Sequence, residues 1–233
     1  MIVTMDHGPI TYSPEVEEWI EYGPHEDRRR VDFHDYAAIY SVPGLYEAVF
    51  YDSLRMCSAD VVVGLYAAAL RDLGRTGAEE RVFDLGAGNG IGGEVVRREI
   101  GPDMLVGLDL EPVAREAALR DRPDTYDEYL VADLGASPDA LEHLRQQDFS
   151  ALLAVSAIGE GHIPLAVLAT TIQELLEPGD LFAFAVFDGL LPAFHDEFFA
   201  RVDAERLGER EYDHRRQVDG STVPATAVVA QLR

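Results

Sequence analysis

The chain has 233 residues, enough for one α/β domain of ordinary size with a small cap, and its 47% hydrophobic content is that of a packed globular protein. Its 43 acidic and 19 basic residues leave a formal charge of -24, and every basic residue is arginine, a composition that fits a salt-adapted proteome and high-GC codon usage equally. Such a surface repels phosphate backbones and anionic membranes, which sets nucleic acid and membrane aside as partners and leaves a small-molecule substrate or a basic site on another protein, with oligomeric state open.

Met1 to Pro9 lacks the basic start and apolar run of a signal peptide. No apolar stretch approaches the ~20 residues that span a bilayer, so a soluble, cytoplasmic protein is expected. Residues 1–56 carry Trp19, Phe33, Tyr36, Tyr40, Tyr46, Phe50 and Tyr51, and predict an aromatic-rich cap or lid ahead of a main domain over 57–233. Within the cap, Ser13-Pro14-Glu15-Val16-Glu17 places a capping residue before proline and first-turn acids, which predicts a short helix and a helical lid. The run Arg28-Arg29-Arg30 either binds a substrate carboxylate or pairs with the surrounding acids; the acid excess favours pairing. Cys57 is the single cysteine, so no internal disulfide forms, and without a Cys/His cluster no metal site is expected.

Residues 58–73 predict a helix with Val62, Leu65, Tyr66, Ala69 and Leu70 on one face, closed by Gly74 and Gly77. From 81 onward, strands are expected at 81–85, 104–109, 127–132, 149–155 and 181–187. Helices are expected near 90–100, 112–120, 138–146, 164–176 and 192–205. The continuously apolar Ala151-Leu152-Leu153-Ala154-Val155 reads as a strand covered on both faces. Strands alternating with helices imply a doubly wound parallel sheet. At the end, Asp219-Gly220 between the extended runs 211–218 and 223–232 predicts an antiparallel hairpin in place of a sixth parallel unit.

The most informative segment is Arg81-Val82-Phe83-Asp84-Leu85-Gly86-Ala87-Gly88-Asn89-Gly90-Ile91-Gly92-Gly93. An apolar strand ends on a carboxylate, a glycine-rich turn follows, and a helix begins. Glycine lets a ligand approach the backbone, and the first helical N–H groups are left unpaired to face it. Asp109 ends the next apolar strand at the distance where nucleotide-binding folds place a ribose-binding acid. The segment Gly88-Asn89-Gly90-Ile91-Gly92-Gly93 also satisfies G-x-G-x-x-G, which a nicotinamide-dependent oxidoreductase would share. Against a dinucleotide, Asp84 would repel a pyrophosphate but attract the ammonium and sulfonium of S-adenosylmethionine. Asp133 closes the third strand, placed to accept from an adenine amino group, and the closing hairpin is not how a dinucleotide domain ends.

On these residues the chain resembles the class I S-adenosylmethionine-dependent methyltransferases over roughly 58–233. Asp84-Leu85-Gly86-Ala87-Gly88-Asn89-Gly90 matches the first motif, Gly107-Leu108-Asp109-Leu110 the ribose acid, Ala132-Asp133-Leu134 the adenine contact, and Leu176-Glu177-Pro178-Gly179-Asp180 the turn before strand five. Gly159-Glu160-Gly161-His162-Ile163-Pro164 is similar to the Gly-His-Val/Ile-Pro turn of the methyltransferase-like 27 group. The resemblance implies a Rossmann-like seven-stranded sheet. It places Asp84, Gly86, Ala87 and Gly88 at the methionine moiety and Asp109 and Leu110 at the ribose. Asp133 and Leu134 would flank the adenine, with Ser156 or Ala157 near the transferred methyl. The activity it implies is methyl transfer to an oxygen or nitrogen of a small organic molecule. A non-methylating relative, a cyclase or a regulatory protein, is the alternative within the fold.

A base is needed only where the acceptor carries a proton that must leave. His162, on the edge where ligands bind in doubly wound folds, is the first candidate; its alternative reading is a cap on the helix from Pro164. Glu160 binds a cationic substrate or stands solvated. His34 and Tyr36 could close over the site from the cap, with His34 flanked by Asp32 and Asp35; the alternative is an aromatic lid. Tyr46 and Tyr51 resemble the cap tyrosines of small-molecule methyltransferases, one of which covers the cofactor. Their spacing of five suits an α-helix face only loosely, so core packing is the default. His195 lies after the fifth strand among Phe194, Phe198 and Phe199, which read as helix core.

Overall fold

The structure is a computed structural model and describes residues 7–13, 18–158, 162–187 and 197–233. A three-stranded antiparallel sheet of β1 (Thr11–Tyr12), β2 (Trp19–Tyr22) and β3 (Arg29–Asp32) opens the chain, followed by a short α1 (Tyr36–Tyr40) and a π-helix over Glu47–Ser53. Then come α2 (Ser58–Asp72), β4 (Arg81–Leu85), α3 (Ile91–Glu99), β5 (Met104–Asp109) and α4 (Pro112–Asp121). These lead to β6 (Glu128–Val131), α5 (Pro138–Arg145), β7 (Ala151–Ala154), α6 (Leu165–Leu175) and β8 (Leu181–Phe187). The long strands β9 (Ala204–Arg216) and β10 (Thr222–Leu232) end the chain.

The main sheet has seven strands in the order β6-β5-β4-β7-β8-β10-β9. The first five are parallel, and β10 inserts antiparallel between β8 and β9. Strand alternation splits the core between the two faces. Phe83, Leu85, Phe182 and Phe184 pack with α5 and α6 on one side, while Val82, Leu105, Ala183 and Val229 meet α2 and α3 on the other. All four residues of β7 are buried, as its unbroken apolar run requires. Strand order 3-2-1-4-5 with an inserted antiparallel strand differs from the 3-2-1-4-5-6 order of dinucleotide domains, which removes the fold-level support for a nicotinamide enzyme.

Two expectations are corrected. The N-terminal region is not a purely helical lid. Residues 14–17 lie outside the described residues, and Trp19–Tyr22 is a strand whose Ile20 and Tyr22 are buried. Ser13 Oγ accepts from Glu18 N–H at 2.8 Å, so the serine ties off a loop between β1 and β2. The aromatic and branched side chains of β2 favour a pleated surface over a helix. The second is the extent of the helix expected over 192–205, of which Glu197 and Phe198 are helical. Residues 192–196 are outside the described set, a turn follows Phe198, and β9 begins at Ala204. The cause is register: β10 pairs out to Leu232, opposite Ala204, and an antiparallel arm needs a partner along its whole length.

Candidate functional site

The strand order reverses between β4 and β7, and a crevice opens there at the C-terminal ends of the parallel strands. β4 carries Asp84 to the crest, where it is 2% exposed and accepts a hydrogen bond from the Tyr126 hydroxyl at 2.7 Å. Burial pushes the Asp84 carboxyl up to about 6, opposed by the Tyr126 bond and assisted by the neighbouring Asp109 charge. The turn that follows is left-handed at Gly86 (φ +78°) and Gly88 (φ +55°). A Cβ at Gly86 would lie 2.4 Å from that of Ala157, and one at Gly88 2.7 Å from the Tyr40 hydroxyl, so conformation and space both demand glycine.

Asp109 ends β5 beside this turn. One of its oxygens accepts from Gly88 N–H at 2.9 Å and the other from Glu111 N–H at 3.0 Å. Burial raises its pKa, and these backbone bonds oppose the rise. Past β6, Asp133 accepts from Gly135 N–H at 2.9 Å. Past β7, Ser156 adopts φ +54°, a strained value for a residue with a Cβ. Its hydroxyl oxygen is buried with no hydrogen-bond partner among the described residues, and it lines the crevice.

The cap covers this crest. Glu47 Oε1, at the start of the π-helix, accepts from Arg122 Nη2 at 2.6 Å and from Asn89 Nδ2 at 2.9 Å. Arg122 in turn donates to Glu94 at 2.9 Å and to the Asn89 carbonyl at 3.2 Å. Arg122 and Asn89 are buried, so a polar network locks the cap to the glycine turn. The π-helix also explains the five-residue spacing of Tyr46 and Tyr51. A π-helix repeats near that interval where an α-helix does not, and the two rings lie 6.2 Å apart.

Crest and cap enclose a cavity of about 1450 Å³. Pockets for one drug-sized ligand measure ~300–1,000 Å³, so this cleft is larger than a single such ligand needs. Asp84, Gly86, Ala87, Gly88, Asp109, Leu110, Asp133, Leu134, Ser156 and Tyr51 line it, as do His162 and His34. Tyr36 lies between those histidines, its hydroxyl 3.5 Å from His34 Nδ1 and its ring 5.9 Å from that of His162. His162 is held below the ordinary histidine range, first by burial and then by His34. The N-cap of α6 is Pro164, which has no side-chain donor or acceptor to cap the helix.

Among the other sequence candidates, Asp35 spends its carboxylate capping α1 at Ala38 N–H, 2.9 Å away. Arg30 and Arg29 pair with Glu21 and Asp27, and Arg28 is bound to backbone carbonyls of the small sheet, so the triple arginine is structural. Phe198 packs edge-on against Phe182 and Phe184 in the core. Glu160, Phe194 and His195 lie outside the described residues.

Sequence reasoning missed a wall of the cavity made by Phe187, His214, Arg215 and Gln217. Phe187 ends β8, His214 and Arg215 lie in β9 and Gln217 just follows it, and only the pairing of the hairpin onto β8 brings them here. His214 Nδ1 lies 2.5 Å from Ser58 Oγ, which lies 2.7 Å from the Tyr212 hydroxyl. Burial, then the adjacent Arg215, lowers the His214 pKa to about 4. Among the described residues no group of His, Cys, Asp and Glu could hold a metal ion, and no single helix is long and apolar enough to cross a membrane.

No family model and no curated protein sequence matches the chain. Solved structures do. An S-adenosylmethionine-dependent methyltransferase from Anabaena variabilis superposes with a TM-score of 0.59 at 17% identity, covering 87% of this chain and 96% of that one. The N-methyltransferase NodS from Bradyrhizobium japonicum, crystallised with S-adenosyl-L-homocysteine, gives 0.56 at 11% identity, over 84% and 96%. Fibrillarin from Aeropyrum pernix, with natively bound S-adenosyl-L-methionine, gives 0.51 at 15%, over 97% and 100%. Strand order, closing hairpin and these superpositions agree: the chain has the fold of the class I S-adenosylmethionine-dependent methyltransferases.

Proposed function

We propose that this protein transfers a methyl group from S-adenosylmethionine to an oxygen or nitrogen of a small organic molecule. The observation that carries the reading is one cavity, larger than a single ligand needs, running from an acidic crest to a pair of imidazoles beneath a locked cap. The residues fit the cofactor. The crest offers a buried carboxylate with no cation among its hydrogen-bond partners, a turn stripped of Cβ atoms, and at Ser156 a buried hydroxyl oxygen awaiting a partner. A pyrophosphate would bring like charge against Asp84 and Asp109.

Bound S-adenosylmethionine supplies a methyl group on a sulfonium, already activated for displacement. Asp84 would hold the methionine ammonium, and the Gly86–Gly88 turn would take its backbone. Each Asp109 oxygen has a second lone pair beyond its present backbone bond, so the carboxylate can also accept from two ribose hydroxyls. Asp133 and Leu134 would flank the adenine, with Tyr51 covering from the cap. The chain's remaining task is to align the acceptor and keep water out, which the cap over residues 7–56 does by closing on the crest. His162, kept neutral by burial, receives the acceptor's proton.

The test supplies purified protein with labelled methyl donor and a panel of phenols, amines and carboxylic acids. Label in at least one small acceptor is expected. Label in none, with S-adenosylhomocysteine still bound, would assign the chain to the non-methylating relatives.

A further inference from the structure

β9 stands at the opposite edge of the sheet from the strands β4–β6 that carry the acidic crest, and it brings a buried imidazole to the cavity. His214 is 3% exposed, and Phe187, the last residue of β8, meets its ring edge-on at 4.9 Å. The backbone here is fastened at two points. Cys57 N–H donates to the His214 carbonyl at 3.1 Å and Arg216 N–H to the Leu54 carbonyl at 2.7 Å, so the segment entering α2 holds β9 in place. The ring is turned by Ser58, a fully buried residue whose hydroxyl lies 2.5 Å from Nδ1 and 2.7 Å from the Tyr212 hydroxyl.

Counting protons gives this chain of hydrogen bonds its direction. Tyr212 and Ser58 each carry one hydroxyl proton, and a neutral imidazole carries one N–H. With Tyr212 donating to Ser58 and Ser58 to Nδ1, both hydroxyl protons are used and the ring proton stays on Nε2. In the reverse order the Tyr212 proton has no acceptor among the described residues. Nε2 itself has no hydrogen-bond partner among the described residues, and unlike Glu47 Oε2 and Ser156 Oγ it is not sealed in the interior. It opens on the cavity that His214 lines. Burial, then the adjacent Arg215, lowers the His214 pKa to about 4, so at neutral pH the ring is uncharged and a feeble base. What it offers a ligand is a fixed N–H donor. A triad that served packing alone would close on itself, because buried polar networks are favourable only when every member is paired.

Resting on the methyltransferase reading above, we propose that His214 determines acceptor specificity: its Nε2–H donates to a carbonyl oxygen of an aromatic acceptor, and Ser58 and Tyr212 are the positioning residues. A carbonyl oxygen accepts and never donates, which matches a ring whose proton is held on one nitrogen. The aromatic part follows from the neighbours. Phe187 flanks the imidazole, and Phe33 and Phe50, with centroids 5.2 Å apart, line the same cavity, so a flat ring gains burial and edge-to-face contact there.

The experiment titrates matched probes at pH 7 into protein saturated with S-adenosylhomocysteine. The probes are the hydroxyacetophenones and the corresponding ethylphenols, which carry a methylene in place of the carbonyl. The ketones should bind about three- to tenfold more tightly, the range of one neutral hydrogen bond. His214→Phe should erase that preference, while His214→Gln, whose side-chain amide reaches the place of Nε2, should keep part of it. Ser58→Ala should reduce it, because a ring released at Nδ1 no longer holds its proton on Nε2. S-adenosylhomocysteine affinity should be unchanged in all three variants. Nitrogen-15 spectra of the unaltered protein should show His214 as the Nε2–H tautomer, a reading that stands even where a variant does not fold. Equal or weaker binding of the ketones, no binding of any ketone, a preference that survives in His214→Phe or Ser58→Ala, or an Nδ1–H tautomer overturns the proposal. Failure to bind S-adenosylhomocysteine at the outset is a different result and counts against the methyltransferase reading itself.

Discussion

Asp84 is a group whose stability cost and binding role point in opposite directions. Its carboxylate is buried on the crest with one tyrosine hydroxyl for support, which is why its pKa rises to about 6. Asp84→Asn should therefore raise the melting temperature of the ligand-free protein at pH 8 while weakening S-adenosylhomocysteine binding in calorimetry; a drop in both would remove the charge-based account of the crest. Asp109→Ala should weaken the same ligand by about 1–3 kcal/mol through lost hydroxyl partners. Unchanged affinity would detach Asp109 from the ribose. His162→Ala should lower turnover by about 10²–10⁴-fold with ligand affinity intact. Because its pKa is lowered, the neutral form persists into mild acid, so the acid limb of the pH–rate profile should fall below the ~6.5 of an ordinary histidine. The acids and glycines of this site were legible because each sits at the end of an apolar run, where period and punctuation announce it. Arg215 and His214 carry no such mark, since they lie in a strand that reads as ordinary edge sheet and reach the cavity only through pairing with β10.

At the scale of elements, the parallel half of the sheet was readable from alternation of apolar runs and helical periods, down to the bounds of β4, β5 and β8. The cap was not. Its β2 has only four residues, too few for a period to declare itself, and the π-helix places tyrosines at an interval foreign to the α-helical template. The lock between Glu47, Asn89 and Arg122 joins three segments far apart in sequence, and no local pattern reveals it. Cutting it tests how the cap is held. Arg122→Met leaves the half-buried Glu47 carboxylate without its cation, and should destabilise the closed cap by about 1–3 kcal/mol. Hydrogen exchange should then rise across residues 36–56 while the core strands β4, β5 and β7 stay protected. Uniform acceleration throughout would mean that the network supports the whole fold instead of fastening the cap.

For the whole molecule, the acidic crest makes stability depend on pH with a predictable sign. The folded pKa of Asp84, about 6, lies above the unfolded value of 3.8, so between those limits the folded state binds the extra proton. Stability from this group is gained as pH falls through about 6 and is lost again on returning above it. The advantage of Asp84→Asn in melting temperature should therefore be largest above pH 7 and close by about pH 4. A constant offset across that range would assign the effect to packing. The same crest decides the cofactor, because buried acids facing a shared cavity favour a cationic sulfur compound and oppose a pyrophosphate. Isothermal titration of the intact protein with S-adenosylhomocysteine and with NAD measures this choice directly. Saturable heat from the first and none from the second is the predicted result, and saturable NAD binding with no S-adenosylhomocysteine signal would contradict it.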